Sequence, residues 1–175
     1  MAPAAFLALG LRSEEASAFT APPTVVLGNK PEGPQEMGGY LQHAVIRAKD
    51  IDDEVEFWTN GLGMKILRQR GSETVFVGYG PESLKRNGGH FVLEITEGDK
   101  KAPKLDVGTG LQRFELELPK RTNQVLDIED AGGRLVPRWF GTANFFEAMS
   151  PSGYVVRVTP VKEPKVAYPF KAVVL

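Results

Sequence analysis

The sequence predicts an α+β fold in which two tandem β-α-β-β-β modules form a concave mixed sheet. Two alternating apolar hexapeptides, FVLEIT at residues 91–96 and YVVRVT at residues 154–159, close the two halves of the chain. Such a recurrence indicates a duplicated unit. The copies differ most tellingly where Glu94 of the first corresponds to Arg157 of the second, and this change bears on the chemistry of the predicted sheet.

The first module combines one amphipathic helix with four β-rich runs. Val55, Phe57 and Trp58 give the helix an apolar stripe, and Gly61 and Gly63 follow its end. The predicted elements are a strand over 41–47, a helix over 51–60, and strands over 64–69, 74–79 and 90–96.

The second module repeats this order. Gly132 and Gly133 follow its helix, and the run Pro151, Ser152, Gly153 predicts the last hairpin turn. The predicted elements are a strand over 112–118, a helix over 123–131, and strands over 134–140, 144–149 and 154–159.

Composition indicates one folded domain with an extension at each end. The 175 residues are 42% hydrophobic and 25% charged, as in ordinary globular proteins. We divide the chain into an N-terminal arm (1–39), a core domain (40–161, with modules at about 41–97 and 110–160) and a C-terminal strap (162–175). The net charge of −1 gives no case for nucleic acid, and the lack of cysteine excludes disulfides and thiol catalysis. The apolar run over 2–11 is too short to span a bilayer.

An ordered series of segments resembles the vicinal-oxygen-chelate superfamily, and specifically the glyoxalase I (lactoylglutathione lyase) family. The segments are HAVIR at 43–47, GLGMKILR at 61–68, FVGYGPE at 76–82, LEIT at 93–96, GT at 108–109 and SPSGY at 150–154. The resemblance covers roughly residues 41–161. It implies the paired-module fold described above.

The resemblance also implies a divalent metal in the concave sheet, held by four side chains. In the family these are His or Gln on the first and fifth strands and Glu on the fourth and eighth; carried over, they become His43, Glu94, Arg113 and Arg157. Arginine is permanently charged and offers no lone pair to a cation, so two of the four ligands are lost. Arg157 also replaces the carboxylate that takes part in proton transfer, and arginine is a poor base. We therefore expect a degenerate site with no metal, no other cofactor and no catalytic residue.

Strand alternation predicts an unusually charged concave face. His90 shares a face with Glu94, and Glu115 shares a face with Arg113. We expect Glu94 to accept a hydrogen bond from Arg113 or Arg157. The candidate pocket comprises His43, Arg47, His90, Glu94, Arg113, Glu115 and Arg157. An alternative is a metal site rebuilt from His43, His90, Glu94 and Glu115.

Arg47 has two interpretations. It falls where the resembled family has an arginine that contacts glutathione. It is equally consistent with a solvated strand end, because Lys49 and Asp50 follow it.

The two extensions are interpreted as segments that bind a partner protein. The N-terminal arm is rich in Ala, Pro and Gly without periodicity, whereas the C-terminal strap carries several apolar side chains. The candidate anchors are Phe6, Leu11, Phe19, Phe170 and Leu175. The stretch ASAF at 16–19 resembles the leader cleavage motif of proteins sent to secondary plastids, so we expect a plastid location, with the cytoplasm as the alternative.

Together these observations lead to the expectation of a non-catalytic glyoxalase I-like protein that serves as an accessory or structural subunit of a larger assembly. A photosynthetic complex of the plastid, at the thylakoid, is the specific candidate. The expected partners are other protein subunits, with a homodimer as the alternative, and neither nucleic acid nor a membrane span is expected. Two other functions stay open: a lactoylglutathione lyase or other metalloenzyme of the superfamily, and a small-molecule binding module.

Overall fold

The computed structural model describes residues 24–26 (backbone only), 43–80, 90–99, 105–137, 144–162 and 169–175. Ten strands and two α-helices lie in these ranges. In chain order they are β1 (Thr24–Val26), β2 (His43–Ala48), α1 (Ile51–Glu56), β3 (Lys65–Arg70), β4 (Thr74–Gly78), β5 (Val92–Glu97), β6 (Arg113–Pro119), α2 (Gln124–Asp130), β7 (Arg134–Leu135), β8 (Phe146–Met149), β9 (Val155–Val161) and β10 (Phe170–Val174).

The predicted α+β fold with two β-α-β-β-β modules is confirmed. The first module forms a four-stranded sheet in the order β2-β5-β4-β3, and the second contributes the strands β6-β9-β8-β7 to a six-stranded sheet. In each module the first and last strands are parallel neighbours and the remaining pairs are antiparallel. The predicted element boundaries lie within about two residues of the observed ones, except that β7 ends at Leu135 and residues 138–140 of the predicted strand lie outside the described ranges.

The first helix changes its winding after six residues. The side chain of Asp50 caps its start by accepting hydrogen bonds from the backbone N–H groups of Asp52 and Asp53. From Phe57 to Gly61 the chain continues as a π-helical turn, so the single predicted helix over 51–60 consists of two parts. The consecutive side chains Phe57 and Trp58 are both fully buried, which a wider turn allows.

One apolar core joins the two modules. The expected inward-facing residues of β5 and β6, which are Leu93, Ile95, Phe114, Leu116 and Leu118, are all buried. Trp58 of the first module meets Phe114 of the second edge to face, with ring centroids 5.3 Å apart. Because the aromatic contact crosses the module boundary, the modules share one hydrophobic interior.

The C-terminal segment is part of the sheet. β10 pairs antiparallel with β6, and β1 pairs antiparallel with β10 at the edge of the same sheet. Phe170 is buried, with its ring centroid 4.0 Å from that of Phe91, and Leu175 packs partly buried against the core. This corrects the expectation that Phe170 and Leu175 anchor a partner, because Phe170 is buried in this chain's own core and Leu175 packs against that core. The other three expected anchors, Phe6, Leu11 and Phe19, lie outside the described residues.

Two polar contacts, one buried and one part-buried, also hold the modules together. Glu54 on α1 accepts hydrogen bonds from Trp58 Nε1 and from the backbone N–H of Ser152, both at 2.9 Å. The hydroxyl of Tyr154 accepts from Arg47 N and donates to Arg47 O, both at 3.0 Å. Within the ranges that the structure covers, no helix is long and apolar enough to cross a membrane.

Candidate functional site

His43 and Glu94 form the polar pair at the centre of the first module's concave face. They lie on the parallel neighbours β2 and β5, where Val45 stands opposite Glu94. His43 Nε2 is 3.1 Å from Glu94 Oε2, with 34% of the histidine side chain and 14% of the glutamate side chain exposed. The two atoms are not aligned as a hydrogen bond, so Nε2 makes none with any described residue.

Aromatic and cationic groups form the wall beside this pair. The His43 ring stacks on Phe76 of β4, with centroids 6.0 Å apart and planes inclined by 27°. The guanidinium carbon of Arg68 lies 3.3 Å from the centroid of the Phe76 ring, which is fully buried. Stacking on a buried ring fixes the imidazole in place, and an arginine over the ring gains cation–π attraction.

Arg47 and His90 are placed by the backbone around them. Both backbone hydrogen-bonding groups of Arg47 are taken up by the Tyr154 hydroxyl, and burial raises the pKa of Tyr154 to about 12. The His90 ring lies against Gly80, where any Cβ atom would overlap it. Burial lowers the pKa of His90, so its ring favours the neutral form.

The second module carries a network of two arginines and two glutamates. Arg157 donates from Nε and Nη2 to Glu147 Oε1, at 2.9 and 2.7 Å, and its Nη1 lies 3.5 Å from Glu115 Oε1. Arg113 donates from Nε to the same Glu115 oxygen at 2.8 Å. The Arg157 guanidinium carbon stands 4.2 Å from the centroid of the Phe145 ring.

This network corrects the expected partner of Glu94. Glu94 pairs with His43, whereas Arg113 and Arg157 pair with glutamates of their own module. The reason is strand register, because Glu115 and Glu147 stand directly opposite Arg157 on the two neighbouring strands and directly opposed charges interact most strongly. The expected pocket is therefore divided between the two modules.

Sequence reasoning missed Glu147 although a signal for it exists. The hairpin turn at 151–153 sets residues 147 and 157 opposite each other in the β8–β9 pair. A hairpin fixes register through its turn, so the Glu147–Arg157 pair follows from the turn position.

The described residues do not fit the four-ligand metal site that the fold family implies. No group of three or more His, Cys, Asp or Glu side chains comes together among them. The alternative site from His43, His90, Glu94 and Glu115 is thus not assembled, and Glu115 is instead bound by two arginines. Arg113 and Arg157 bring positive charge and no lone pair to the remaining positions.

The fold and the paired concave faces define the class of protein. The sequence model of the Glyoxalase/Bleomycin resistance protein/Dioxygenase superfamily matches residues 40–158, and the chain belongs to this superfamily. This confirms the resemblance on which the sequence-based interpretation was built.

Several similar proteins are named as lactoylglutathione lyase or glyoxalase I. A probable lactoylglutathione lyase of Synechocystis sp. is 30% identical over 135 residues, which cover 72% of this chain and 98% of that protein. A probable chloroplastic lactoylglutathione lyase of Arabidopsis thaliana is 34% identical over 100 residues, which cover 54% of this chain and 27% of that protein. The crystal structure of a V278E mutant of glyoxalase I from Zea mays superposes with a TM-score of 0.57 at 26% identity, covering 73% of this chain and 46% of that one.

These relatives correct the expected function. The expectation of a non-catalytic accessory subunit is wrong, because the similar proteins are named as lactoylglutathione lyases and as glyoxalase I. They support the enzyme alternative. The chain spans about half or less of the length of the two Arabidopsis thaliana relatives, at 27% and 49%.

Proposed function

We propose that the chain is a glyoxalase-type enzyme of the lactoylglutathione lyase kind, and that His43 and Glu94 of its first module carry the reaction. The observation that supports this proposal is the 3.1 Å separation of His43 Nε2 and Glu94 Oε2 on the concave face. The proposal uses this pair directly, because the described residues do not supply the other two ligands of a metal site.

The reaction is an isomerisation that the pair can support by moving protons. Lactoylglutathione has the same atoms as the adduct of glutathione with the three-carbon 2-oxoaldehyde. Conversion breaks the C–H bond on the carbon that bears sulfur and forms a C–H bond on the neighbouring carbon. The Glu94 carboxylate accepts that proton and returns it to the neighbouring carbon, which is general acid–base catalysis.

His43 has a complementary role in the same step. As the carbon-bound proton moves, the hydroxyl proton must pass from one substrate oxygen to the other. Imidazole exchanges protons near neutral pH more readily than any other side chain. The Nε2 atom of His43 is buried and makes no hydrogen bond with any described residue, so its hydrogen-bonding capacity is unused within the described part of the chain.

The proposal is tested by turnover of the purified full chain. Glutathione and the three-carbon 2-oxoaldehyde are supplied together, and formation of the lactoylglutathione thioester is followed by absorbance and by mass spectrometry. We expect a rate above that of the same protein after thermal unfolding. A rate equal to that of the unfolded control would refute the proposed activity.

We further propose that the enzyme works in a plastid. The motif at 16–19 and the chloroplastic relative support this location. The full chain fused at its C-terminus to a fluorescent protein should accumulate in plastids of an algal host. Diffuse cytoplasmic fluorescence would contradict it.

A further inference from the structure

The second module carries an open cavity that the proposed reaction does not use. The cavity measures about 590 Å³ on the concave face of β6, β9 and β10. Sites for small molecules in proteins typically occupy roughly 300–1,000 Å³. Its lining includes Thr159 and Phe145 besides five charged side chains, and no described residue of the first module takes part.

The charges that line this cavity favour an anion. Three cations, Arg157, Lys162 and Lys171, face two carboxylates, Glu115 and Glu117. Both carboxylates are already engaged, since Glu117 accepts from Lys171 at 3.0 Å and Glu115 accepts from Arg113 at 2.8 Å. Their partners offset most of the repulsion that they would exert on an incoming anion.

Arg157 is held in a fixed position with donors to spare. Glu147 takes its Nε and Nη2 hydrogens on one oxygen, and Phe145 lies under the guanidinium plane. The only hydrogen bond of Nη1 with a described residue is a long one of 3.5 Å, to Glu115. A guanidinium carries five N–H donors, so the Nη1 group can bind an oxyanion with little loss of side-chain freedom.

The two lysines add donors from different segments. Lys171 uses one of its three N–H donors on Glu117 and has 53% of its side chain exposed. Lys162 makes no ion pair with any residue in the described ranges. Lys171 belongs to β10, which lies beyond the superfamily match at residues 40–158, so the C-terminal strand contributes one wall of the cavity.

We propose that this cavity is a binding site for a small organic oxyanion, a carboxylate or a phosphate, which is recognised by Arg157 Nη1, Lys171 and Lys162. Arg157, one of the two arginines that prevent a family-type metal site, thus supplies positive charge for an anionic ligand. An ion-pair network with a purely structural role would require neither the open cavity nor a lysine, Lys162, that forms no ion pair within the described part of the chain.

The test is calorimetric titration of the full chain at low salt with two probes, inorganic phosphate and succinate. We expect binding of at least one probe at one site per chain. Binding of phosphate alone assigns a phosphate ligand, and binding of succinate alone assigns a carboxylate ligand. Binding of neither probe would overturn the proposal.

Variants locate the binding site. Lys171→Gln and Lys162→Gln should each weaken binding about tenfold, since each removes a charge-assisted hydrogen bond. Arg157→Gln should weaken it at least as much. Arg121→Gln is the matched control, because Arg121 pairs with Asp127 at 3.5 Å on the surface and does not line the cavity, and it should bind as the wild type does. Unchanged affinity in both lysine variants would overturn the proposal even if Arg157→Gln failed to fold.

Discussion

Glu54 is a fully buried carboxylate that binds one module to the other. Its two oxygens accept from Trp58 Nε1 and from the backbone of Ser152. Burial raises its pKa above the ordinary value of 4.5, although the hydrogen bonds from Ser152, Ser150 and Trp58 act in the opposite direction. A carboxyl group with a raised pKa in the folded state holds its proton longer than it does in the unfolded chain.

This linkage predicts the pH dependence of stability at Glu54. Between pH 4.5 and the raised pKa of the folded state, Glu54 holds more protons in the folded protein than in the unfolded chain. The contribution of Glu54 to the free energy of unfolding therefore falls as pH rises. Glu54→Gln removes this dependence. The unfolding free energy of the wild type minus that of the variant, both measured in urea, should be greatest below pH 4.5 and should decrease as pH rises above it. An equal difference from acid to neutral pH would show that Glu54 does not titrate differently on folding.

Tyr154 allows a second prediction at the residue scale. Tyr154→Phe keeps the ring and removes the hydroxyl that serves both Arg47 N and Arg47 O. Leaving part-buried backbone groups without partners should lower the free energy of unfolding by about 1–3 kcal/mol. Urea unfolding of wild type and variant at neutral pH measures this loss of unfolding free energy. An unchanged midpoint would mean that water replaces the hydroxyl without loss.

At the scale of elements, alternation and turn signals predicted the strands of both modules. Leu93, Phe114 and Leu116 are buried as expected. Alternate side chains of a strand lie on the same side of the sheet, and one side of each sheet packs against the core. The terminal strands were not predictable in this way. β10 has buried side chains at four of its five positions, so it lacks the alternation of a half-exposed strand, and its partner β6 is more than fifty residues away in sequence.

The contribution of β10 is tested by Phe170→Ala. Phe170 is 3% exposed and contacts Phe91, Phe114 and Tyr79, so its loss should cost about 3–5 kcal/mol in unfolding free energy. Leu126→Ala is the control, because Leu126 is 57% exposed and should change stability by less than about 0.5 kcal/mol. Equal effects of the two substitutions would place β10 outside the cooperative core.

At the scale of the whole molecule, the modules should unfold together. The Trp58–Phe114 contact and the Glu54–Ser152 hydrogen bond both cross the module boundary. Native-state hydrogen exchange should therefore give one opening free energy for the central amides of β5 and of β9. Two clearly different values would mean that each module opens by itself.

The site was only partly predictable from sequence, because its contacts depend on how the strands of the whole molecule pair. The family positions singled out His43, Glu94, Arg113 and Arg157, whose side chains are all partly exposed, but they did not predict the partners of these side chains. Partner choice depends on register across strands, which pairs Arg157 with Glu147 and leaves Glu94 with His43. The expectation of a site without activity rested on the two arginines, whereas the proposed activity rests on the His43–Glu94 pair of the first module.

The central claim, that Glu94 carries an enzymatic proton transfer, is tested most directly by kcat/KM for lactoylglutathione formation. Glu94→Gln removes the proton acceptor, and the expected loss is about a hundredfold or more. Glu73→Gln changes an exposed turn carboxylate and should leave the rate unchanged. A folded Glu94→Gln protein with the wild-type rate would contradict the account.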